Sequence, residues 1–124
     1  MAAIPNILAL DLDSTTLWDK HPDLGKPIDG IIPQLKALRA AGWKIVIWTV
    51  RDEPDKIAAK LHEEGVPFDY INDHPWNHAN SSRKIFAHVY LDDRAMNFDG
   101  DTKGLAEKIM SFVPWTKRNP LTGK

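Results

Sequence analysis

The sequence predicts an α/β fold: an open, mostly parallel sheet with helices on both faces. Three observations carry that expectation. Short runs dense in apolar and β-branched residues, "ILAL" at 7–10, "KIVIWT" at 44–49 and "IFAHVYL" at 85–91, read as buried strands. Stretches with apolar residues at helical spacing stand between them, the alternation of a sheet built by crossover connections. Each of these three runs ends in polar side chains: Asp11 and Asp13 after the first, Thr49 in the second, Asp92 and Asp93 after the third.

Taken in order, Ile7 to Leu10 is a strand covered on both faces. "LWDKHPDLGKP" is rich in turn formers without a clear period and reads as a loop. Ile31, Ile32, Leu35 and Leu38 then recur at helical spacing, with Asp29 as N-cap, Pro33 tolerated only in the first turn and Gly42 as the stop. Lys44 to Thr49 is the second strand. "RDEP" opens a helix whose apolar stripe is Ile57, Ala58 and Leu61, closed by Gly65. "PFDYI" is a weaker third strand, "NDHPWNHANSS" a loop, and Ile85 to Leu91 a fourth strand. A last helix begins near Asp101 or Thr102 and carries Leu105, Ile109, Phe112 and Val113.

A length of 124 residues suits a single domain, with a core over about 5–113 and a C-terminal tail at 114–124. At 43% hydrophobic and 27% charged residues the chain has the material for a packed core. A net charge of −1 gives no general field toward nucleic acid or anionic membrane. The basic tail "WTKRNPLTGK" reads as solvated surface. Without cysteine there are no disulfides, thiolate metal sites or thiol nucleophiles. No apolar run is long enough to span a bilayer, and the N-terminus lacks a signal-peptide pattern, so the expectation is a cytoplasmic protein with no membrane partner.

In open parallel sheets ligands bind beyond the carboxyl ends of the strands. Four acids and a hydroxyl would converge there, and crowded carboxylates are relieved by a hard cation; oxygen-only ligands point to magnesium. A phosphoryl group would find backbone N–H donors at Leu12, Asp13 and Ser14, the Thr49 hydroxyl and a lysine from elsewhere. Two acids at i and i+2 can divide the work, one attacking phosphorus and the other moving protons. A lone D-x-D is weak, since acids at strand ends commonly cap helices or turns; the joint pattern carries the reading.

With these residues in view, the chain resembles the haloacid dehalogenase superfamily of aspartate-nucleophile phosphatases. "LALDLDSTT" resembles the first motif, "IVIWT" the second and "HVYLDDRA" the fourth, over roughly residues 5–113. The third is a lone lysine, best matched by Lys84 in "SSRKIF", with Arg83 its alternative. The resemblance implies a three-layer Rossmann-like fold and an aspartyl-phosphate mechanism. Asp11 is then the nucleophile and Asp13 the general acid and base. Thr49 and Lys84 would hold the phosphoryl group. Mg2+ would lie on Asp11, the Asp13 carbonyl and Asp92, with Asp93 acting through water or by orienting a ligand. Ser14 stands where many members have glycine. There is no room for the family's cap domain, and "T-x-R" at 49–51 and "DDR" at 92–94 look like the phosphatase half of polynucleotide kinase-phosphatases. The implied substrate is a phosphomonoester on a small molecule, nucleotide, nucleic-acid end or protein; an open site could accept a bulky one, or else need a second copy of the chain as a lid. The other readings are a non-catalytic module that keeps the metal and phosphate pocket, and a phosphoacceptor receiver domain, whose order of acids this chain does not show.

Smaller signals point mostly to structure. His74 and His78 have the spacing of a helical metal pair, but Pro75 opposes a helix and no third ligand is near. His21, His62 and His88 read as surface or core residues, and Trp43 and Trp48 as packing. Trp18 and Trp76 can stack a base or cover the core. Arg51 and Arg94 can contact a substrate phosphate, tie down an acid or form structural ion pairs.

Overall fold

The computed structural model describes residues 3–117. They divide between Leu91 and Asp92 into two compact units. In chain order the first holds β1 (Ile7–Leu10), β2 (Leu17–Lys20), β3 (Asp23–Pro27), α1 (Ile31–Ala40), β4 (Lys44–Ile47), α2 (Pro54–Glu64), β5 (Tyr70–Ile71) and β6 (Val89–Leu91). The second holds α3 (Leu105–Met110) and a 3-10 turn at Trp115–Lys117. The rest of the expected tail, 118–124, lies outside the described residues. No helix among the described residues is long and apolar enough to cross a membrane.

Four strands form a parallel sheet in the order β5-β4-β1-β6. Leu10 is level with Ile47 on one side and with Leu91 on the other. Alternation along β1 and β4 sends Leu8, Leu10, Ile45 and Ile47 to one face, where they meet Leu35 of α1 and Ile57 and Leu61 of α2. Ile7, Ala9 and Val46 point to the other face and pack with Ile85 and Ala87.

In this unit both helices therefore cover one face, where the sequence predicts helices on both. The connections explain it. From β1 through α1 to β4, and from β4 through α2 to β5, the chain steps in the same direction, and right-handed crossovers then place both helices on the same side. The return from β5 to β6 runs the other way, so residues 72–88 cover the opposite face. That segment contains no helix, and its core contacts come from Trp76, Ile85 and Ala87.

Other departures also have local causes. Residues expected as a loop form the antiparallel ribbon of β2 and β3. Helix α1 begins after Gly30 in a left-handed conformation, with no side-chain cap, so Asp29 lies one residue before the position expected for it. The third and fourth strands are shorter than predicted because side chains take over the ladder. Asp69 Oδ2 accepts the Ile45 N–H at 2.8 Å, and His88 Nδ1 accepts the Ile7 N–H at 3.0 Å. Helix α2 does begin at Pro54 and end at left-handed Gly65. Helix α3 begins later than expected and stops before Phe112 and Val113.

Gly25 is buried in β3, directly against the Trp18 backbone of β2. A Cβ there would collide with the Trp18 carbonyl oxygen, which is backbone and cannot swing aside. Gly25→Ala is expected to destabilise the chain by more than about 2 kcal/mol through overpacking, read as a fall in the urea midpoint. An unchanged midpoint would mean that the ribbon opens freely.

Candidate functional site

The order of strands reverses at β1: its first crossover leads to β4 on one side, while β6 arrives on the other. Such a switch point leaves a crevice beyond the strand ends. The ladder continues one residue further, the Asp11 N–H donating to the Leu91 carbonyl at 3.0 Å. Asp11 thus begins where β1 ends, and Asp92 follows directly on its paired neighbour. One carboxylate oxygen each from Asp11, Asp92 and Asp93 lie within 4.8 Å of one another. Unit charges at that separation repel by between about 1 and 4 kcal/mol per pair, depending on how much water reaches them. An oxygen-only set of three carboxylates can hold a metal ion, which would offset that repulsion.

The turn after β1 is closed tightly. Leu12 is buried and its carbonyl accepts the N–H groups of Thr16 and Leu17, while the Ser14 N–H donates to Leu17 O at 2.7 Å. The fully buried Thr16 hydroxyl donates to the Asp11 carbonyl at 2.7 Å. Among the described residues, the bonds that close the turn use neither the Leu12 nor the Asp13 N–H. Thr15 Oγ1, in the same turn, is buried without a hydrogen-bond partner among the described residues. A buried orphan of this kind fits a bound water or ligand. Ser14 adopts φ +64°, a left-handed conformation. The backbone there takes the conformation that glycine favours.

Asp13 does not join the acidic cluster through its carboxylate. Arg51 grips it in a fork, Nε to Oδ2 at 2.8 Å and Nη2 to Oδ1 at 3.0 Å. The same guanidinium donates to the carbonyls of Pro22 at 2.8 Å, in the turn between β2 and β3, and of Asp23 at 2.9 Å, the first residue of β3. The Arg51 side chain is only 9% exposed. Its pKa is raised above the usual arginine value, first by the hydrogen bond to Asp13.

Thr49, two residues past β4, is held from both sides. Its N–H donates to Asn72 Oδ1 at 2.8 Å, and its hydroxyl accepts the Arg51 N–H at 3.2 Å, which leaves the hydroxyl proton to be donated elsewhere. Asn72 itself has φ +60° and donates its N–H to Ile47 O. Past it, Asn72, His78, Ser81, Ser82 and Arg83 line a polar cleft of about 320 Å³. Asp73, at the same cleft, has its pKa lowered by hydrogen bonds from the Asn77 side chain and the His74 N–H.

Lys84 is exposed, and its Nζ stands 5.3 Å from the centre of the Tyr90 ring. Tyr90 is level with Ala9, so it lies on the sheet face that Asp11 continues by alternation. Lys84 and Arg83 thus have different surroundings, an aromatic ring and the polar cleft.

Three of the histidines have structural contacts, whereas His21 is exposed and His78 lines the polar cleft. Buried His74 accepts the Trp76 N–H at Nδ1 and donates from Nε2 to Phe86 O at 2.7 Å, so both ring nitrogens are used in place. His62 packs on Phe68, and His88 Nδ1 accepts the Ile7 N–H. Trp43, Trp48 and Trp76 pack against the two core clusters, while Trp18 is 44% exposed. Arg94 is exposed and lies 3.9 Å from Asp93, and its N–H donates to Asp92 Oδ1.

No protein-family model and no curated protein matches this sequence. A solved structure does. It is a conserved protein from Bacteroides thetaiotaomicron, with a TM-score of 0.66 at 25% sequence identity, covering 92% of this chain and 97% of that one. That protein is described only as conserved, so the likeness bears on the fold.

The left-handed turn yields a stability test. A β-branched residue is strained at positive φ, so Ser14→Val is expected to cost about 2 kcal/mol or more, whereas Ser14→Gly should be within about 1 kcal/mol of the wild type. Thermal denaturation of the two variants compares them. Equal loss in both would show that the Ser14 hydroxyl, not the backbone conformation, matters there.

Proposed function

We propose that this chain is a magnesium-dependent phosphatase of the haloacid dehalogenase type, without a cap domain, acting on phosphomonoesters. The observation that carries the reading is the meeting of the Asp11, Asp92 and Asp93 carboxylates at the switch point of the sheet. Hard oxygen ligands in small number suit Mg2+, which keeps coordination sites for water and phosphate. When bound, the ion would neutralise charge on the phosphoryl oxygens and draw the phosphate to Asp11.

The chain's own groups then divide the reaction. The backbone N–H groups of Leu12 and Asp13 and the Thr49 hydroxyl would donate to the phosphoryl oxygens, with Lys84 as the balancing cation. A carboxylate oxygen of Asp11 attacks phosphorus, and the bond from phosphorus to the ester oxygen breaks. The leaving oxygen takes a proton from Asp13. Water then attacks the aspartyl-phosphate, gives its proton to Asp13, and releases inorganic phosphate as the Asp11 carboxylate is restored. The polar cleft that begins at Asn72 offers hydrogen-bonding groups to the rest of a substrate, whether a small phosphate ester, a nucleotide or a nucleic-acid end. A second copy of the chain acting as lid belongs to the same proposal.

The alternative is a binding module that keeps the metal and phosphate pocket without turnover. Hydrolysis of 4-nitrophenyl phosphate with and without Mg2+ separates them. The wild type should require the metal, and Asp11→Asn should lose at least about 10³-fold in kcat, as expected for removal of a nucleophile. Full activity in Asp11→Asn would overturn the nucleophile assignment. Magnesium binding without turnover would favour the module.

A further inference from the structure

We infer that Arg51 is the positioning residue for proton transfer by Asp13, and that it takes its own position from the turn between β2 and β3. The inference rests on the phosphatase reading and adds to it a residue that the aspartate, threonine and lysine motifs do not include.

Four hydrogen bonds from one guanidinium support it. Two go to the two oxygens of Asp13, and two go to backbone carbonyls of Pro22 and Asp23. A forked guanidinium fixes the plane of the carboxylate it meets, which a single ammonium cannot do. The carbonyls matter equally, because they hold the other edge of the guanidinium and stop it from following a moving carboxylate. With a side chain 9% exposed, Arg51 has little room to turn. The Arg51 N–H also bonds the Thr49 hydroxyl at 3.2 Å, so one residue orients both a proposed phosphate ligand and the proposed proton carrier. Each Asp13 oxygen keeps a second lone pair for a proton. The fork therefore holds Asp13 without using up its capacity to act.

The two chemical steps need this aim unequally. A 4-nitrophenolate leaves without a proton, so attack by Asp11 on that ester proceeds with a misplaced Asp13. Hydrolysis of the aspartyl-phosphate requires a proton to be taken from the attacking water, and there a displaced carboxylate is costly. Losing Arg51 should slow the second step selectively.

Rapid-mixing kinetics with 4-nitrophenyl phosphate and Mg2+ test this on the wild type, Arg51→Gln and Arg51→Lys, beside thermal melts of each. In Arg51→Gln we expect a burst of about one nitrophenolate per chain at nearly the wild-type rate. Steady-state turnover should then fall roughly 10²-fold, the scale of acid–base assistance. Arg51→Lys, which keeps the charge and loses the fork, should show the same burst with a smaller loss. A fall in burst and steady state together, or no change in either, would overturn the positioning role while leaving the phosphatase reading intact. A wild type that hydrolyses no phosphomonoester, neither this ester nor a panel of nucleotides, sugar phosphates and phosphorylated DNA ends, would be a different failure: it overturns the phosphatase reading itself, and the inference falls with it.

Discussion

The site depends on the central place of β1 in its sheet. Parallel pairing on both sides, with Leu10 level with Ile47 and Leu91, makes three chain segments leave the sheet at one edge. Backbone hydrogen bonding sets that register, and burial of Ile7, Leu8, Ala9 and Leu10 holds it, since a one-residue slip would exchange the two faces of the strand. Because β1 is also where the strand order reverses, no crossover helix of the first unit closes the gap between it and β6. Acids at that edge cost nothing in core packing, and their mutual repulsion favours a cation.

Around this edge the chain uses hydrogen bonds to make loop residues rigid. The Thr16 hydroxyl fixes the Asp11 carbonyl, Asn72 holds the Thr49 N–H, and Arg51 holds Asp13. The first bond closes the turn after β1 and the other two join one strand-end loop to another, so the geometry belongs to the sheet edge as a whole. The β2–β3 ribbon takes part because two of its carbonyls bind Arg51. A short ribbon outside the main sheet thereby reaches the acid placed two residues after Asp11.

Much of this was legible in the sequence where the signal is local. The run Ile7 to Leu10 announced a strand that ends in acids, and Pro54 and Gly65 bounded α2 correctly. Long-range pairings were less legible. Arg51 and Asp13 are 38 positions apart, and sequence alone offered an acid, a substrate phosphate or a structural ion pair as the partner of Arg51. The ribbon was hidden because its strands are short, mostly exposed and carry Gly25 and Pro27, which read as turn residues. Asp69 and His88 shortened β5 and β6 by offering side-chain acceptors to the ladder, a substitution that hydrophobic patterning does not register. Helices on both faces followed from alternation alone; strand order, which alternation does not contain, put α1 and α2 together.

The central claim is that Asp11, Asp92 and Asp93 form one divalent-cation site. Calorimetric titration of Mg2+ into the wild type and Asp92→Asn addresses it without requiring a substrate. The account predicts one ion per wild-type chain and affinity weakened at least about tenfold in the variant, where a charged oxygen ligand is replaced by an amide. Equal affinity in the two proteins, or no saturable binding to the wild type, would contradict it.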